Sequence, residues 1–212
     1  MKRALLFVVI ISTLFSPTTW AKYENAVIRP IICDDPEIPG LSGVTARAQS
    51  QDNWTIGPAG HVVGEVRLQG DGVDSSNDDA LVMVSPDGAI SLVIREGDAI
   101  GGGTFQSNWA PVVSGSGTVA FRAVLNDGST YGALLAGEAG GLNTVLTSRD
   151  SLADDFGAGA TVDSFTDPVM NSSGTFAFTV GAVTGSTPQT GIYTSTGGGR
   201  SLAVRSGVVY PG

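Results

Sequence analysis

The chain has 212 residues, of which 30 are glycine, about twice the usual share, and only 15% are charged. Its formal net charge is −9, with 20 Asp and Glu against 11 Lys and Arg, and it holds one Cys and one His. That composition excludes a coiled coil or helical bundle, a disulfide framework and a nucleic-acid-binding surface, the last because phosphate recognition needs a basic patch.

The first element in chain order is an address. Lys2 and Arg3 precede the apolar run Ala4 to Ile11, which Leu14 and Phe15 extend, and Ser16, Pro17 and Thr19 lead to Ala21. Basic, apolar, then breaker and small residue is the order of a secretory signal peptide, 1–21, cut after Ala21. The apolar run is shorter than the ~20 residues a spanning helix needs, so no membrane span is expected after cleavage. Losing Lys2 and Arg3 moves the net charge from −9 to −11 and leaves Lys22 as the single lysine. The expected location is outside the cytoplasm: secreted, periplasmic or at the cell surface. Residues 22–55 form a lead segment with Pro30, Pro36 and Pro39, and they offer a strand to a neighbouring sheet. Cys33, alone in an oxidising compartment, is expected to be a buried small apolar residue, the alternative being a partner for an intermolecular bond.

Residues 56–212 carry an internal repeat. Gly57-Pro-Ala-Gly-His-Val-Val-Gly, Ser114-Gly-Ser-Gly-Thr-Val-Ala-Phe and Asn171-Ser-Ser-Gly-Thr-Phe-Ala-Phe place Gly60, Gly117 and Gly174 at a constant interval of 57 residues, and Pro111 and Pro168 share that interval. Each unit continues with a strand (His61 to Leu68, Thr118 to Leu125, Thr175 to Val180), a polar loop and a second strand (Ala80 to Val84, Gly132 to Ala136, Gly191 to Ser195). A tight turn then leads to a third strand: Ile90 to Ile94, Leu142 to Leu146, Ser201 to Val204. Alternation puts Val62, Val119 and Phe176 on one face and Glu65, Arg122 and Thr179 on the other. A glycine-rich loop leads through Phe105 or Phe165 to a short fourth strand near Pro111 or Pro168. No stretch of the mature chain has helical periodicity. The fold class expected is all-β: a β-propeller-like array of about three four-stranded antiparallel blades. Three blades do not close a ring, so a longer product or packing across chains is expected as well.

Asn-x-x-Gly-x-x-Ala-Phe at Asn171 to Phe178, Gly191-Ile-Tyr193 and Arg95-Glu-Gly-Asp98 together resemble the exported bacterial tandem-repeat proteins named for NxxGxxAF, the choice-of-anchor group. Ser85-Pro-Asp-Gly88 is more loosely similar to WD40-like propeller repeats. The resemblance covers about residues 56–212 and is weakest in the first unit, where Pro58, His61 and Gly64 depart from the pattern. It implies a secreted or surface-anchored propeller-type protein with no defined activity.

Chemistry is sparse. The lone His61 has no second His or nearby Cys to work with, the chain lacks a Gly-x-Ser-x-Gly elbow, and a phosphate loop needs Gly-Lys-Ser/Thr, whereas the single mature lysine, Lys22, stands between Ala21 and Tyr23. The glycine clusters at 101–103 and 197–199 read as turns. The best ligand candidate is the acidic loop of Asp71, Asp74, Asn77, Asp78 and Asp79, because calcium takes several carboxylate and carbonyl oxygens from one short loop. The same composition also reads as a solvated hairpin loop, so no cofactor is expected, calcium is the one candidate, and catalytic residues are expected to be absent. The leading reading is an exported non-catalytic scaffold that binds a glycan or protein partner outside the cytoplasm. The alternative is an extracytoplasmic polysaccharide-acting enzyme with carboxylates such as Asp71, Asp98 and Asp150 on one face. A third reading makes Asp98 and Asp150 caps of the turn after the third strand.

Overall fold

The computed structural model describes residues 35–48 and 54–208. The expected signal peptide, Cys33 and about half of the lead lie outside the described residues. The chain is all-β. In order it forms β1 (Val44–Ala48), β2 (Thr55–Ile56), β3 (Val62–Gly70), β4 (Asp79–Val84), β5 (Ile90–Arg95), β6 (Ala99–Ile100), β7 (Gly103–Val113) and β8 (Val119–Asn126). There follow β9 (Thr130–Glu138), β10 (Gly141–Thr147), the four-residue helix α1 (Ala153–Phe156), β11 (Ala160–Phe165), β12 (Val169–Met170), β13 (Phe176–Thr184), β14 (Thr187–Ser195) and β15 (Arg200–Arg205).

These make three five-stranded sheets, each antiparallel throughout: β1-β3-β4-β5 with β2 also on β3, then β10-β9-β8-β7-β6, then β11-β13-β14-β15 with β12 also on β13. The central strands β3, β8 and β13 start at Val62, Val119 and Phe176, one repeat interval apart. Each sheet is a meander, because the connections are short and glycines supply the positive φ that tight hairpins need.

The sheets differ from the four-stranded expectation at their outer edge. In the first and third sheets the outer strand is broken into two pieces, β1 with β2 and β11 with β12, which pair with opposite ends of β3 and β13. In the middle sheet it is continuous, and β6 adds a two-residue strand beyond it. The short fourth strand expected near Pro111 is in fact the 11-residue β7, which includes the supposed loop around Phe105. Two register shifts, at Phe105/Ser107 and Trp109/Val112, and a positive φ of 47° at Ala110 interrupt its alternation and hide it from pattern reading. The lead segment contributes β1 and β2 to the first sheet. Helix α1, absent from the expectation, sits in the β10–β11 connection and buries Phe156.

The sheets stack face to face in a regular way. Val63 and Leu81 on one face of the first sheet pack with Val119, Phe121 and Leu135 of the second. Ala120 and Leu134 on the other face of the second pack with Phe176, Phe178 and Tyr193 of the third. The remaining face of the first sheet, with Val66, Leu68, Ala80 and Val82, is covered by Ile38, Leu41 and Trp54.

Candidate functional site

The motif glycines build one end of the stack. In the third unit Asn171 Oδ1 accepts from the N–H groups of Ser173 and Thr175, each at 3.0 Å, and Gly174 takes φ 87°. In the second, Ser114 Oγ accepts from Ser116 N at 3.2 Å and Thr118 N at 2.9 Å, with Gly117 at φ 90°. Asn and Ser are thus interchangeable here because each offers one acceptor to the same two turn amides. Gly57 in the first unit has no such side chain, yet the backbone bond from its N–H to His61 O, 2.8 Å, closes the same turn. The turns meet each other: Gly115 N donates to Ser172 O at 3.0 Å, and a Cβ on Gly57 would lie 2.7 Å from Val113 O. His61 lies against Gly117, its Nε2 3.4 Å from where a Cβ would stand, and its Nδ1 is buried without a hydrogen bond.

Because strands antiparallel to these turns run away from them, the β3–β4, β8–β9 and β13–β14 loops gather at the opposite rim. The acidic loop is there. Asp74 Oδ1 accepts from Ser76 N at 2.8 Å and Ser76 Oγ at 2.6 Å, which holds its carboxyl below the usual range. Asn77 Oδ1 accepts from Asp74 N at 2.9 Å, and Asn77 Nδ2 donates to Gly72 O at 3.2 Å. These two side chains build the loop, and Asp71 lies exposed at its start. Asp78 receives Arg67 Nε at 2.9 Å and also pairs with its Nη2.

Of the five sequence candidates, only Asp78 and Asp79 share a cluster, and their companion is Glu96, which the sequence reading did not select. One carboxylate oxygen from each of the three lies within 4.8 Å of the others, all half-buried, so the trio can hold a hard cation. Glu96 reaches it because β5 returns antiparallel to β4, so that Glu96 N donates to Asp79 O at 2.8 Å. Burial, then the charges of Asp79 and Asp78, push the Glu96 carboxyl above its ordinary value. The Arg95-Glu-Gly-Asp98 motif was the signal that could have found it.

Two of the three carboxylates of the enzyme alternative, Asp98 and Asp150, do other work. Asp98 Oδ2 accepts from Arg95 N at 2.8 Å. Asp150 accepts from Thr147 Oγ1 at 2.5 Å and pairs with Arg200 Nη1 at 2.9 Å. Both close the turn that follows the third strand of their unit. On the same rim the β6–β7 hairpin, Ala99 to Thr104, forms with Asn126 and Asp127 a shallow cleft of about 600 Å³. Arg149 frames it, pairing with Asp127 at 2.5 Å and stacking over the Tyr131 ring at 3.9 Å, while Tyr131 donates to Gly101 O at 3.1 Å. Among the described residues no helix is long and apolar enough to cross a membrane.

The family described as "Family of unknown function (DUF7453)" matches residues 19–212. No curated protein and no solved structure matches the chain.

Proposed function

The chain belongs to the DUF7453 family, whose function is unknown, and from that premise we propose that it is an exported, non-catalytic β-repeat module that binds a glycan or protein outside the cytoplasm. In this reading the three sheets are blades of a propeller-like array built from a 57-residue tandem repeat. The family match begins at residue 19, beside the expected cut after Ala21, which supports reading the preceding residues as a signal.

The observation that carries the binding reading is the division of labour between the two ends of the stack. One end is closed by turns that bond to each other. The other presents the variable loops, the cleft beside Gly101 and the Asp78-Asp79-Glu96 trio on one rim. Binding residues concentrate on loops held by a rigid scaffold. Calcium at the trio would offset two of its three carboxylate charges, with Arg67 already paired to Asp78, and would brace this rim, and it is proposed as the structural ion. The carboxylates of the enzyme alternative that close turns, Asp98 and Asp150, are committed to backbone, hydroxyl and guanidinium partners, which favours the binding reading over hydrolysis.

The test is a panel of envelope and matrix polysaccharides and envelope proteins probed with the immobilised chain, with and without calcium. Saturable binding that the double variant Gly102→Trp/Asp127→Ala removes supports the proposal. No binding to any member, or release of reducing ends from a bound polysaccharide, overturns it.

A further inference from the structure

Three Asp-Gly dipeptides stand in the chain: Asp71-Gly72, Asp87-Gly88 and Asp127-Gly128. Each carries the same chemical weakness. The backbone nitrogen after an aspartate can attack that aspartate's side-chain carboxyl carbon, and glycine permits it because no Cβ shields the nitrogen. All three pairs are exposed, in the β3–β4, β4–β5 and β8–β9 connections. The glycines have positive φ, 73°, 91° and 107°, and a Cβ on any of them would meet nothing within 4 Å. Sequence, exposure and steric access therefore do not tell the three apart.

Hydrogen bonds do. Asp87 Oδ1 accepts from Ser85 Oγ and from Ala89 N, the latter at 3.4 Å, while Gly88 N donates to Ser85 O at 2.8 Å. Asp127 has both oxygens on Arg149, Oδ2 at 2.5 Å from Nη1 and Oδ1 at 3.1 Å from Nη2, and Gly128 N donates to Asn126 Oδ1 at 2.8 Å. The bond from Ser85 at Asp87, and that from Arg149 at Asp127, hold both carboxyls below their usual range. The reactive form is the protonated carboxyl, which can lose water, so these bonds also thin out the reactive species. At both sites the nucleophile is tied down and the carboxyl is held in place.

Asp71-Gly72 has neither restraint. Among the described residues the Asp71 carboxylate accepts no hydrogen bond and Gly72 N donates none. The bonds that build this loop belong to its other members: Ser76 N to Asp74, Asp74 N to Asn77, and Asn77 Nδ2 to Gly72 O at 3.2 Å. That last carbonyl lies in the peptide unit after the reacting one. The Asp71–Gly72 peptide is thus free to turn its nitrogen toward Asp71 Cγ.

We propose that Asp71 is the preferred site of spontaneous isoaspartate formation in the folded chain. Gly72 N attacks Cγ of the protonated Asp71 carboxyl. The N–Cγ bond forms, the Cγ–OH bond breaks, and the hydroxyl leaves with the amide proton as water, which closes a cyclic succinimide. Water then adds to one of the two ring carbonyls. Addition at Cγ restores aspartate. Addition at the main-chain carbonyl carbon breaks its bond to nitrogen, so the chain now runs through the former side chain. Nothing is oxidised or reduced, and the mass is unchanged. The product keeps one carboxylate but lengthens the main chain by one methylene, inside the turn where Val73 N donates to Gly70 O at 3.3 Å. The inference rests on this loop alone and needs neither the binding reading nor the calcium site.

The test is to keep the full chain for weeks at neutral pH, folded and in parallel in denaturing urea, and then to map its peptides. Isoaspartate is scored by isoaspartyl methyltransferase labelling and by loss of cleavage with an aspartate-directed protease. In the folded chain the Asp71 peptide is expected to gain about tenfold more isoaspartate than those of Asp87 and Asp127, the factor that follows if a clamped site must first break its hydrogen bonds. In urea, where the clamps are gone, the three sites should convert at similar rates. Arg149→Ala should raise conversion at Asp127 and leave Asp71 as it was. Asp71→Glu should remove the signal there, because the larger ring closes far more slowly. Similar conversion at all three sites of the folded chain, faster conversion at Asp87 or Asp127, or an Asp71 that stays intact while the urea sample converts would each overturn the proposal. So would an Arg149→Ala chain whose Asp127 converts no faster than in the wild type.

Discussion

Glu96 is the residue whose environment makes the clearest demand. It is half-buried beside Asp78 and Asp79, and its carboxyl titrates above its ordinary value. The folded state therefore binds this proton more tightly than the unfolded chain does. The strain of keeping Glu96 ionised is absent below the unfolded-state pKa, develops as pH rises to the folded-state value, and is complete above it. Glu96→Gln should accordingly raise the melting temperature at pH 7 by about 1 °C, reflecting a few tenths of a kcal/mol after solvent screening. The gain should vanish at pH 3, and in excess calcium it should reverse, because the variant loses a ligand. A melting temperature equal to wild type at pH 7 would show that the three carboxylates do not crowd one another. The sequence made the acidic loop visible but not this trio. Asp78 and Asp79 are adjacent in the chain, whereas Glu96 joins them only through the β4–β5 pairing, and no spacing rule within a loop predicts a ligand from the next strand. For the same reason Asp74 and Asn77 looked like ligands: an Asx side chain that closes its own loop has the same composition as one that binds a cation.

At the scale of an element, the NxxG turn explains why a motif of so few fixed residues recurs. The glycine supplies a φ near 90° and the first residue supplies one oxygen to two amides. Asn171→Ala removes that oxygen and should cost about 1 kcal/mol, while Asn171→Ser should cost much less, since Ser114 does the same work in the second unit. Urea denaturation of the two variants measures the difference, and equal losses would mean that the acceptor is not what the motif preserves. Strands that alternate cleanly were legible for a matching reason. β13 reads buried and half-open by turns because one side faces a core and the other does not. β7 was not legible, because its two bulges each shift the pattern by a residue and its glycine start resembles a loop. Of the broken outer strands in the other sheets, β12 is the short strand expected near Pro168 and β1 the strand expected of the lead, whereas β2 is two residues long and carries no period at all.

For the whole molecule, stability depends on how closely the sheets approach, and the turns set that distance. Gly57 lies against the backbone of the second sheet, where an added Cβ would be 2.7 Å from Val113 O and 3.0 Å from Ser114 O. Neither oxygen belongs to a side chain that can rotate away, so Gly57→Ala must push the first sheet off the second and loosen the core that holds Val63, Leu81, Phe121 and Leu135. Overpacking of this kind costs about 1–3 kcal/mol, and for a chain of this size each kcal/mol lowers the melting temperature by about 2–4 °C. Gly72→Ala is the matched control. Gly72 also has a restrictive backbone, φ 73°, but a Cβ there meets nothing within 4 Å, so its cost is the local conformational one of about 1–2 kcal/mol. The two variants separate by mechanism rather than by size of effect. Loosening the first interface should let its core exchange amide protons before the third sheet does, so Gly57→Ala should raise exchange in β3 and β4 while leaving β13 and β14 protected. Gly72→Ala should leave that order unchanged. Uniformly faster exchange in Gly57→Ala would instead mean that the three sheets unfold as one cooperative body, held together more strongly by their shared cores than by any single turn.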